Sequence, residues 1–285
     1  ILEHTALLAP LATNTANRPF SVIDDGWSAG TDYSRTNSKF PDMPGLVSKI
    51  QGHGMRAGLW TRPLLARPAT PSNRFVEKHG EVLDPTIDEN LHYIQEPFEL
   101  FGKYGMDMGE TLTFPGWHFN DRTKTNAEII LNMYKAMREA AEGICLMGCN
   151  TVSHLSAGLF EIYRIGDDTS GKEWDRTKRM GVNTMGFRMV QHRKFYEADG
   201  DCVGLTTQVP WEKNKQWMQL LAQSGTPLFI SAQPEAVGEE QKKFIKQCFE
   251  EASRPLPVAE PLDWLENIYP ARWKLNYRVV TFNWD

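Results

Sequence analysis

Short apolar runs alternate with longer segments of helical period along most of this 285-residue chain. The runs are bounded by Gly, Pro or Asp and have the length of buried strands, whereas the longer segments carry apolar residues at helical spacing. Such alternation is typical of a parallel sheet whose strands are joined by crossover helices. The pattern therefore predicts an α/β fold.

The alternation can be followed unit by unit. Six runs predict strands, at 20–24, 55–60, 144–149, 159–165, 202–206 and 227–231. Seven segments predict helices, at 1–11, 46–53, 87–104, 125–142, 174–189, 211–223 and 239–252.

A seventh strand is predicted near 105–108, and an eighth would precede Ile1. Eight such strands, in a chain close to the roughly 250 residues of a single barrel, predict a (β/α)8 TIM barrel over residues 1–254 whose first strand is absent. Prolines at 255, 257 and 261 mark a linker after it. The closing stretch RVVTFNWD predicts the beginning of a C-terminal β domain within residues 255–285.

The charge pattern narrows the class of partner. A net charge of −5, from 31 basic and 36 acidic residues without a long run of either sign, gives no field that would attract nucleic acid. No apolar run approaches the roughly 20 residues that cross a membrane, so we expect a soluble protein that binds neutral small molecules. The four cysteines lack CxxC pairing, and the histidines lack HxxxH spacing. Buried thiols are therefore favoured over a metal site or disulfides.

Acids and tryptophans follow several of the predicted strands. In a barrel of this type the active site lies at the carboxyl ends of the strands. The residues there include Asp24, Asp25, Trp27, Trp60, Arg62, Cys149, Asn150, Arg164, Asp167, Asp168, Asp199 and Asp201. Carboxylates that converge with tryptophans fit glycoside chemistry, in which paired acids flank the scissile bond. Two adjacent carboxylates at a strand tip can also bind neighbouring hydroxyls of one sugar.

Each of these residues has an ordinary structural alternative. Asp-Asp-Gly is also turn chemistry, with Gly at a positive φ. Trp60 could be a core residue, and Arg164, four residues before Asp168, could form a structural ion pair with it. Acids and tryptophans recur at so many strand ends that a site is favoured over these alternatives.

Several motifs carry a resemblance to a known family. In chain order they are IDDGW, HGMRAGLWTRP, GCN, RIGDDTS and DCVGL. They resemble the strand-end motifs of the α-galactosidase (melibiase) clan, glycoside hydrolase families 27 and 36, particularly bacterial members, over nearly the whole chain. The resemblance implies a TIM barrel followed by a C-terminal β-sandwich, and a cofactor-independent enzyme that removes terminal α-linked galactose with retention.

The resemblance also implies roles for residues. Asp24 and Asp25 would bind the galactose O4 and O6 hydroxyls, and Trp27 and Trp60 would wall the pocket. Arg164 would contact the O2 side. The remaining substrate-binding candidates are Cys149, Asn150, Asp167 and Asp201.

Asp168 would be the general acid/base, with Asp167 as the close competitor for that role. No metal ligand is implied.

One motif of the clan is incomplete. The clan's nucleophile is an aspartate at the end of the fourth strand, whereas here KYGMD (103–107) passes directly into MGETLTF. Asp107 matches the start of the strand and would lie at the wrong end of the barrel, since each residue advances about 3.3 Å. Glu110, in the expected following loop, is a less favoured substitute. Either a segment of the protein is absent from this sequence or it is truly deleted. We favour the first, because a barrel without a central strand would expose unpaired backbone.

Two alternative functions stay open. A catalytically inactive galactoside-binding or scaffold protein would agree with the shortened strand. An α-N-acetylgalactosaminidase or a transglycosidase of the raffinose-forming kind would use the same barrel. A periplasmic or extracellular location is favoured over the cytoplasm, because it suits an enzyme that degrades polysaccharides, although no targeting segment shows it.

Overall fold

Strands and helices alternate through the computed structural model, which describes residues 1–76, 81–106, 108–112 (backbone), 119–150 and 152–285. The strands are β1 (Phe20–Ile23), β2 (Ser28–Ala29), β3 (Asp32–Thr36), β4 (Arg56–Thr61), β5 (Met108–Leu112), β6 (Cys145–Cys149), β7 (Ile162–Arg164), β8 (Glu197–Asp199), β9 (Cys202–Leu205), β10 (Phe229–Ala232), β11 (Glu260–Pro261), β12 (Arg272–Leu275) and β13 (Arg278–Thr281). The helices are α1 (Leu2–Leu8), α2 (Met43–Gly52), α3 (Asp88–Tyr104), α4 (Asn126–Ala140), α5 (Trp174–Thr177), α6 (Thr184–Arg188), α7 (Trp211–Ser224) and α8 (Glu239–Ala252).

The chain divides into two compact units. The first unit combines Ile1–Pro19 with Tyr163–Asp285, and the second is Phe20–Ile162. Residues 255–285 therefore group with the preceding part of the chain. The predicted division at residue 254 stays a prediction.

The second unit is built on four parallel strands in the order β1-β4-β5-β6. The register pairs Ile23 with Leu59 and Leu112 with Cys149. The carboxyl ends of β1, β4 and β6 therefore lie along one edge of this sheet. An antiparallel hairpin, β2–β3, follows β1.

Local sequence explains where the helices of this unit begin and end. The Asp42 side chain accepts the Gly45 N–H at 2.9 Å and caps α2. Thr125 and Glu128 form a reciprocal capping box at the start of α4. α3 ends at Gly105, which takes the left-handed conformation with φ of 75°.

Strand β5 differs from the prediction. The prediction placed a truncated strand near 105–108, but β5 runs from Met108 to Leu112 and pairs with both β4 and β6. Glu110 lies within this strand, opposite Trp60 and Met147, so its predicted loop position is wrong. Asp107 lies outside the described residues. β5 thus pairs with the backbone of both neighbouring strands, and the predicted absence of a segment from the sequence stays a prediction.

The first unit contains three groups of strands. β9 and β10 are parallel partners, with Phe229 opposite Cys202. β7 and β8 are neighbours, and the Ile165 N–H donates to the Asp199 carbonyl at 3.0 Å. β8 was not predicted, because it has only three residues, two of them acidic. The pairings within each unit do not close a ring, so a complete (β/α)8 barrel is not observed among the described residues.

The C-terminal residues form a three-stranded antiparallel sheet, β11-β12-β13. The Trp174 indole Nε1 donates to the Trp284 carbonyl at 2.8 Å, which ties the end of the chain to α5. The predicted strand at the C-terminus is confirmed, and the predicted β-sandwich stays a prediction. No helix among the described residues has both the length and the apolar character of a membrane span.

The predicted helix at 174–189 is interrupted. α5 is followed by a π-helical stretch, Lys178–Asn183, and then by α6. Gly166 packs so closely beneath this stretch that a Cβ there would overlap the Met180 carbonyl oxygen. The loop that connects β7 to α5, which carries Asp167 and Asp168, therefore depends on this irregular helix for its position.

Candidate active site

Asp24 and Asp25 lie at the carboxyl end of β1, and both are exposed. The Asp24 Oδ1 accepts the Asp25 N–H at 2.8 Å, and the Asp25 Oδ1 accepts the Gly26 N–H at 2.7 Å. Gly26 has a φ of 96°, as turn chemistry requires. Both of these turn hydrogen bonds use Oδ1. The turn alternative is therefore correct for one oxygen of each carboxylate, and the turn does not need the second oxygen of either exposed side chain.

Tyr33, on the hairpin strand β3, forms a hydrogen bond with Asp25. Its hydroxyl donates to the Asp25 Oδ1 at 3.0 Å, and its ring is buried. Burial and the negative charge of Asp25 both raise the pKa of Tyr33 above its ordinary value of 10.0. Tyr33 is therefore a neutral hydrogen-bond donor at physiological pH. Tyr33 was not predicted as a site residue, because the two-residue strand β2 and the short turn before β3 leave no periodic signal.

Trp27 and Trp60 enclose the Tyr33 ring. Each indole meets it edge-on at a centroid distance of 5.7 Å. The Trp27 Nε1 donates to the Trp60 carbonyl at 2.8 Å, and Trp27 is fully buried. Trp60 is also buried, in agreement with its core alternative. In this structure both tryptophans support Asp25 through Tyr33, and their predicted contact with a sugar stays a prediction.

Cys149 and Asn150 lie at the carboxyl end of β6, on the same sheet edge as Asp24. Cys149 is buried, whereas Asn150 is exposed and has a φ of 49°, a left-handed conformation that Asn tolerates better than most residues. The second unit thus presents the Asp24 and Asp25 carboxylates and the Asn150 amide along one edge.

Arg164, at the end of β7 in the first unit, contacts three carboxylates. Its Nε lies 2.7 Å from the Asp199 Oδ2, and its Nη2 lies 2.9 Å from the Asp201 Oδ1. Its Nη1 lies 3.3 Å from the Asp168 Oδ1. The predicted Arg164–Asp168 ion pair is present, but the two buried aspartates make the shorter contacts.

The three carboxylates differ in their exposure to solvent. The Asp199 side chain is 0 % exposed and that of Asp201 is 8 % exposed, whereas that of Asp168 is 70 % exposed. Burial, reinforced by the charge of Asp201, raises the pKa of Asp199 despite the opposing effect of Arg164. Asp168 is therefore the carboxylate of this cluster that a ligand can reach.

The backbone around Asp168 is fixed from several sides. The Asp167 Oδ1 accepts the Asp168 N–H at 2.8 Å, and the Arg176 Nε donates to the Asp168 carbonyl at 2.8 Å. The Thr169 N–H and Oγ1 donate to the Asp201 Oδ2 at 2.6 and 2.9 Å. Asp201 thus has both oxygens bonded within the protein. Its predicted role in substrate binding stays a prediction.

The predicted site residues fall into two sets. Trp27, Trp60, Cys149, Asn150 and the Asp24–Asp25 pair belong to the second unit, and Arg164, Asp167, Asp168 and Asp201 belong to the first. Tyr33, Thr169 and the role of Asp199 were missed by the sequence analysis. Among the described residues, no group of three or more His, Cys, Asp or Glu side chains is arranged to hold a metal ion.

The fold defines the class of protein that the chain is similar to. It is shared with sugar-cleaving enzymes among the solved structures, although no protein-family model and no curated protein matches the chain. An α-galactosidase from Thermus thermophilus, solved with p-nitrophenyl α-D-galactopyranoside, superposes with a TM-score of 0.67 at 20 % identity, over 97 % of this chain and 63 % of its own.

Two further structures show how far this likeness extends. An α-galactosidase from Saccharomyces cerevisiae, solved with raffinose, has a TM-score of 0.66 at 14 % identity and covers 91 % of this chain and 61 % of its own. A family 27 β-L-arabinopyranosidase from Geobacillus stearothermophilus, solved with arabinose, has a TM-score of 0.66 at 12 % identity, over 89 % of this chain and 72 % of its own. The chain spans just over three fifths of the length of the two α-galactosidases. At these identities, the likeness establishes the fold.

Proposed function

We propose that the chain is the barrel portion of a retaining glycoside hydrolase that releases terminal α-linked galactose from oligo- or polysaccharides. The observation that carries the proposal is the Arg164 cluster, in which a guanidinium fixed by two buried carboxylates lies beside the exposed Asp168. An exposed carboxylate beside a rigid cationic donor, on a fold shared with α-galactosidases, suits acid/base chemistry at a hydroxyl-rich ligand.

The proposal assigns a role to each exposed group. The exposed carboxylates of Asp24 and Asp25 accept hydrogen bonds from the sugar O4 and O6 hydroxyls, and Arg164 donates to O2. Asp168 protonates the leaving oxygen and later removes a proton from the attacking water, with Asp167 as the alternative acid.

Retention needs a second carboxylate as the nucleophile, roughly 5 Å from the acid/base. None is assigned among the described residues, and Glu110 occupies a strand position paired on both sides. This observation favours a second candidate function, an inactive galactoside-binding protein that keeps the sugar contacts without hydrolysis. A periplasmic or extracellular location is proposed for either function.

Two measurements on the full chain separate these functions. Titration calorimetry with D-galactose tests binding, and release of nitrophenol from p-nitrophenyl α-D-galactopyranoside tests hydrolysis. Binding with hydrolysis supports the enzyme, and binding alone supports the binding protein. Absence of both overturns the galactoside assignment, and a panel of other aryl α-glycosides, including the N-acetylgalactosaminide, would then identify the sugar.

Matched variants locate the binding site. Asp25→Asn keeps the acceptor for the Gly26 N–H but removes the charge, so galactose affinity should fall about tenfold, since charge-assisted hydrogen bonds are roughly twice as strong as neutral ones. Asp88→Asn changes an exposed aspartate in the first turn of α3 and should leave the affinity unchanged. Equal affinities for both variants would remove Asp25 from the site.

Leaving-group dependence tests the acid role of Asp168. If hydrolysis is measurable, Asp168→Ala should slow galactosides with poor leaving groups far more than activated aryl galactosides, because only poor leaving groups need protonation. The control is Asp175→Asn, an exposed aspartate of the same unit that pairs with Lys178. Equal losses on both substrates would exclude Asp168 as the acid.

A further inference from the structure

Asp199 is a fully buried carboxylate whose two oxygens are both bonded within the protein. Its Oδ2 accepts the Arg164 Nε at 2.7 Å, and its Oδ1 accepts the Asp201 N–H at 3.0 Å. Its side chain is 0 % exposed. Asp199 therefore has no surface with which to contact a ligand, and any effect on binding must pass through its partners.

Asp199 and Asp201 together fix the plane of the Arg164 guanidinium. The contacts at Nε and Nη2 come from two different side chains, so the fork can neither rotate nor tilt without breaking one of them. The remaining terminal nitrogen, Nη1, lies next to the exposed Asp168. Arg164 itself is only 10 % exposed, so its orientation is set from inside the protein.

Asp199 also organises the backbone of Asp201. Asp201 has a φ of 73°, in the left-handed region that is unfavourable for a residue with a Cβ. The hydrogen bond from its N–H to Asp199 stabilises this conformation, and the Thr169 N–H and Oγ1 hold its carboxylate. The buried Asp199 side chain thus contacts Arg164 directly and also supports the backbone of Asp201, the second residue that holds Arg164.

The cost of this arrangement indicates a functional reason for it. Two carboxyl groups and one guanidinium are removed from water in this cluster, and desolvation of charged groups is expensive. Buried ionic groups of this kind contribute little to stability when compared with a well-packed apolar replacement. In this protein they hold the guanidinium at two of its three nitrogens.

We propose that Asp199 is a positioning residue that orients Arg164 toward the O2 hydroxyl of a bound galactose-configured sugar. The inference rests on the proposed function, because it needs Arg164 to face O2. It makes Asp199 a determinant of O2 recognition without any contact to the sugar.

A pair of ligands tests this role. The full chain is titrated calorimetrically with D-galactose and with 2-deoxy-D-galactose, which lacks the O2 hydroxyl. In Asp199→Asn the affinity for galactose should fall about tenfold, while that for 2-deoxygalactose should change less than about twofold, because only galactose uses the Arg164 hydrogen bond. If the role of Asp199 were purely structural, the substitution would lower the affinities for both ligands by the same factor.

Asp263→Asn provides the matched control. Asp263 is a mostly buried aspartate of the same unit whose oxygens accept the Ala271 and Arg272 N–H groups at 3.1 and 3.0 Å. This variant should leave the ratio of the two affinities at its wild-type value. If Asp199→Asn does not fold, Asp199→Ser, which keeps a hydroxyl near the Asp201 N–H, repeats the comparison.

The outcomes distinguish the inference from the proposed function. Selective loss of galactose affinity in the Asp199 variant supports the inference. Equal loss for both ligands, with wild-type binding intact, overturns the inference alone. A wild-type chain that binds neither sugar overturns the proposed function, and the inference with it.

Discussion

His192 makes the stability of this fold sensitive to acid. It is buried, its Nδ1 accepts the Ala198 N–H at 3.0 Å, and its Nε2 lies 3.0 Å from the Gly225 carbonyl oxygen. Because Nδ1 accepts a hydrogen bond, the ring is neutral, with its proton on Nε2. The Glu197 Oε2 lies 3.4 Å from Nδ1, but its side chain is 41 % exposed, so solvent screens its charge. Burial, reinforced by the charge of Arg193, lowers the pKa of His192 from 6.5 to about 4.

The direction and size of the effect follow from this shift. Between pH 6.5 and about 4 the unfolded chain binds a proton on His192 that the folded chain does not, so stability is lost as the pH falls through this window. For one proton, the free energy of unfolding changes by about 1.4 kcal/mol per pH unit, so the full loss of stability is about 3 kcal/mol. The stabilisation is fully present above pH 6.5.

Urea denaturation at a series of pH values measures this loss. In His192→Gln the titrating group is gone, so the free energy of unfolding should fall less between pH 6.5 and about 4 than in the wild type, by about 3 kcal/mol. Asp199, whose raised pKa acts in the opposite direction, contributes equally to both proteins and cancels in the comparison. His53→Gln, at an exposed histidine, should behave like the wild type. Parallel curves for the wild type and His192→Gln would refute the reasoning.

Three further predictions concern stability and are checked by urea denaturation at neutral pH. Gly166→Ala should lower the free energy of unfolding by about 1–3 kcal/mol, because the Cβ of alanine would overlap the Met180 carbonyl oxygen. An unchanged denaturation midpoint would show that the loop can shift without loss of stability. Thr125→Ala should cost about 1 kcal/mol through loss of the capping box, and Thr125→Ser should restore most of it. Trp27→Phe should cost about 1–3 kcal/mol, because the buried Trp60 carbonyl loses its indole donor; a neutral result would mean that this carbonyl finds another donor.

The sequence predicted much of the fold because long elements leave periodic signals. The apolar face of α3, with Ile94, Phe98 and Phe101 buried, follows directly from helical spacing. The six apolar runs predicted as strands are all strands in the structure. The positions of Asp24 and Arg164 at strand ends followed from the same pattern.

The missed features have a common physical cause. β8 has the sequence Glu-Ala-Asp, which has low strand propensity, and its burial depends on Arg164, a partner distant in sequence. The π-helical stretch depends on close packing against Gly166. Glu110 was placed in a loop because a resemblance fixed where the strand should end, whereas backbone pairing with β4 and β6 fixes it in the structure.

The turn at Asp24 and Asp25 divides the work of each carboxylate between its two oxygens. One oxygen of each carboxylate shapes the backbone, and the turn does not use the other. The two positions therefore tolerate very few residues, since only Asn also offers an inner acceptor at the same reach, and it lacks the charge. Selection on the turn and selection on ligand affinity would thus act on the same two residues. A substitution at either aspartate that changed the turn would also change the affinity for a ligand.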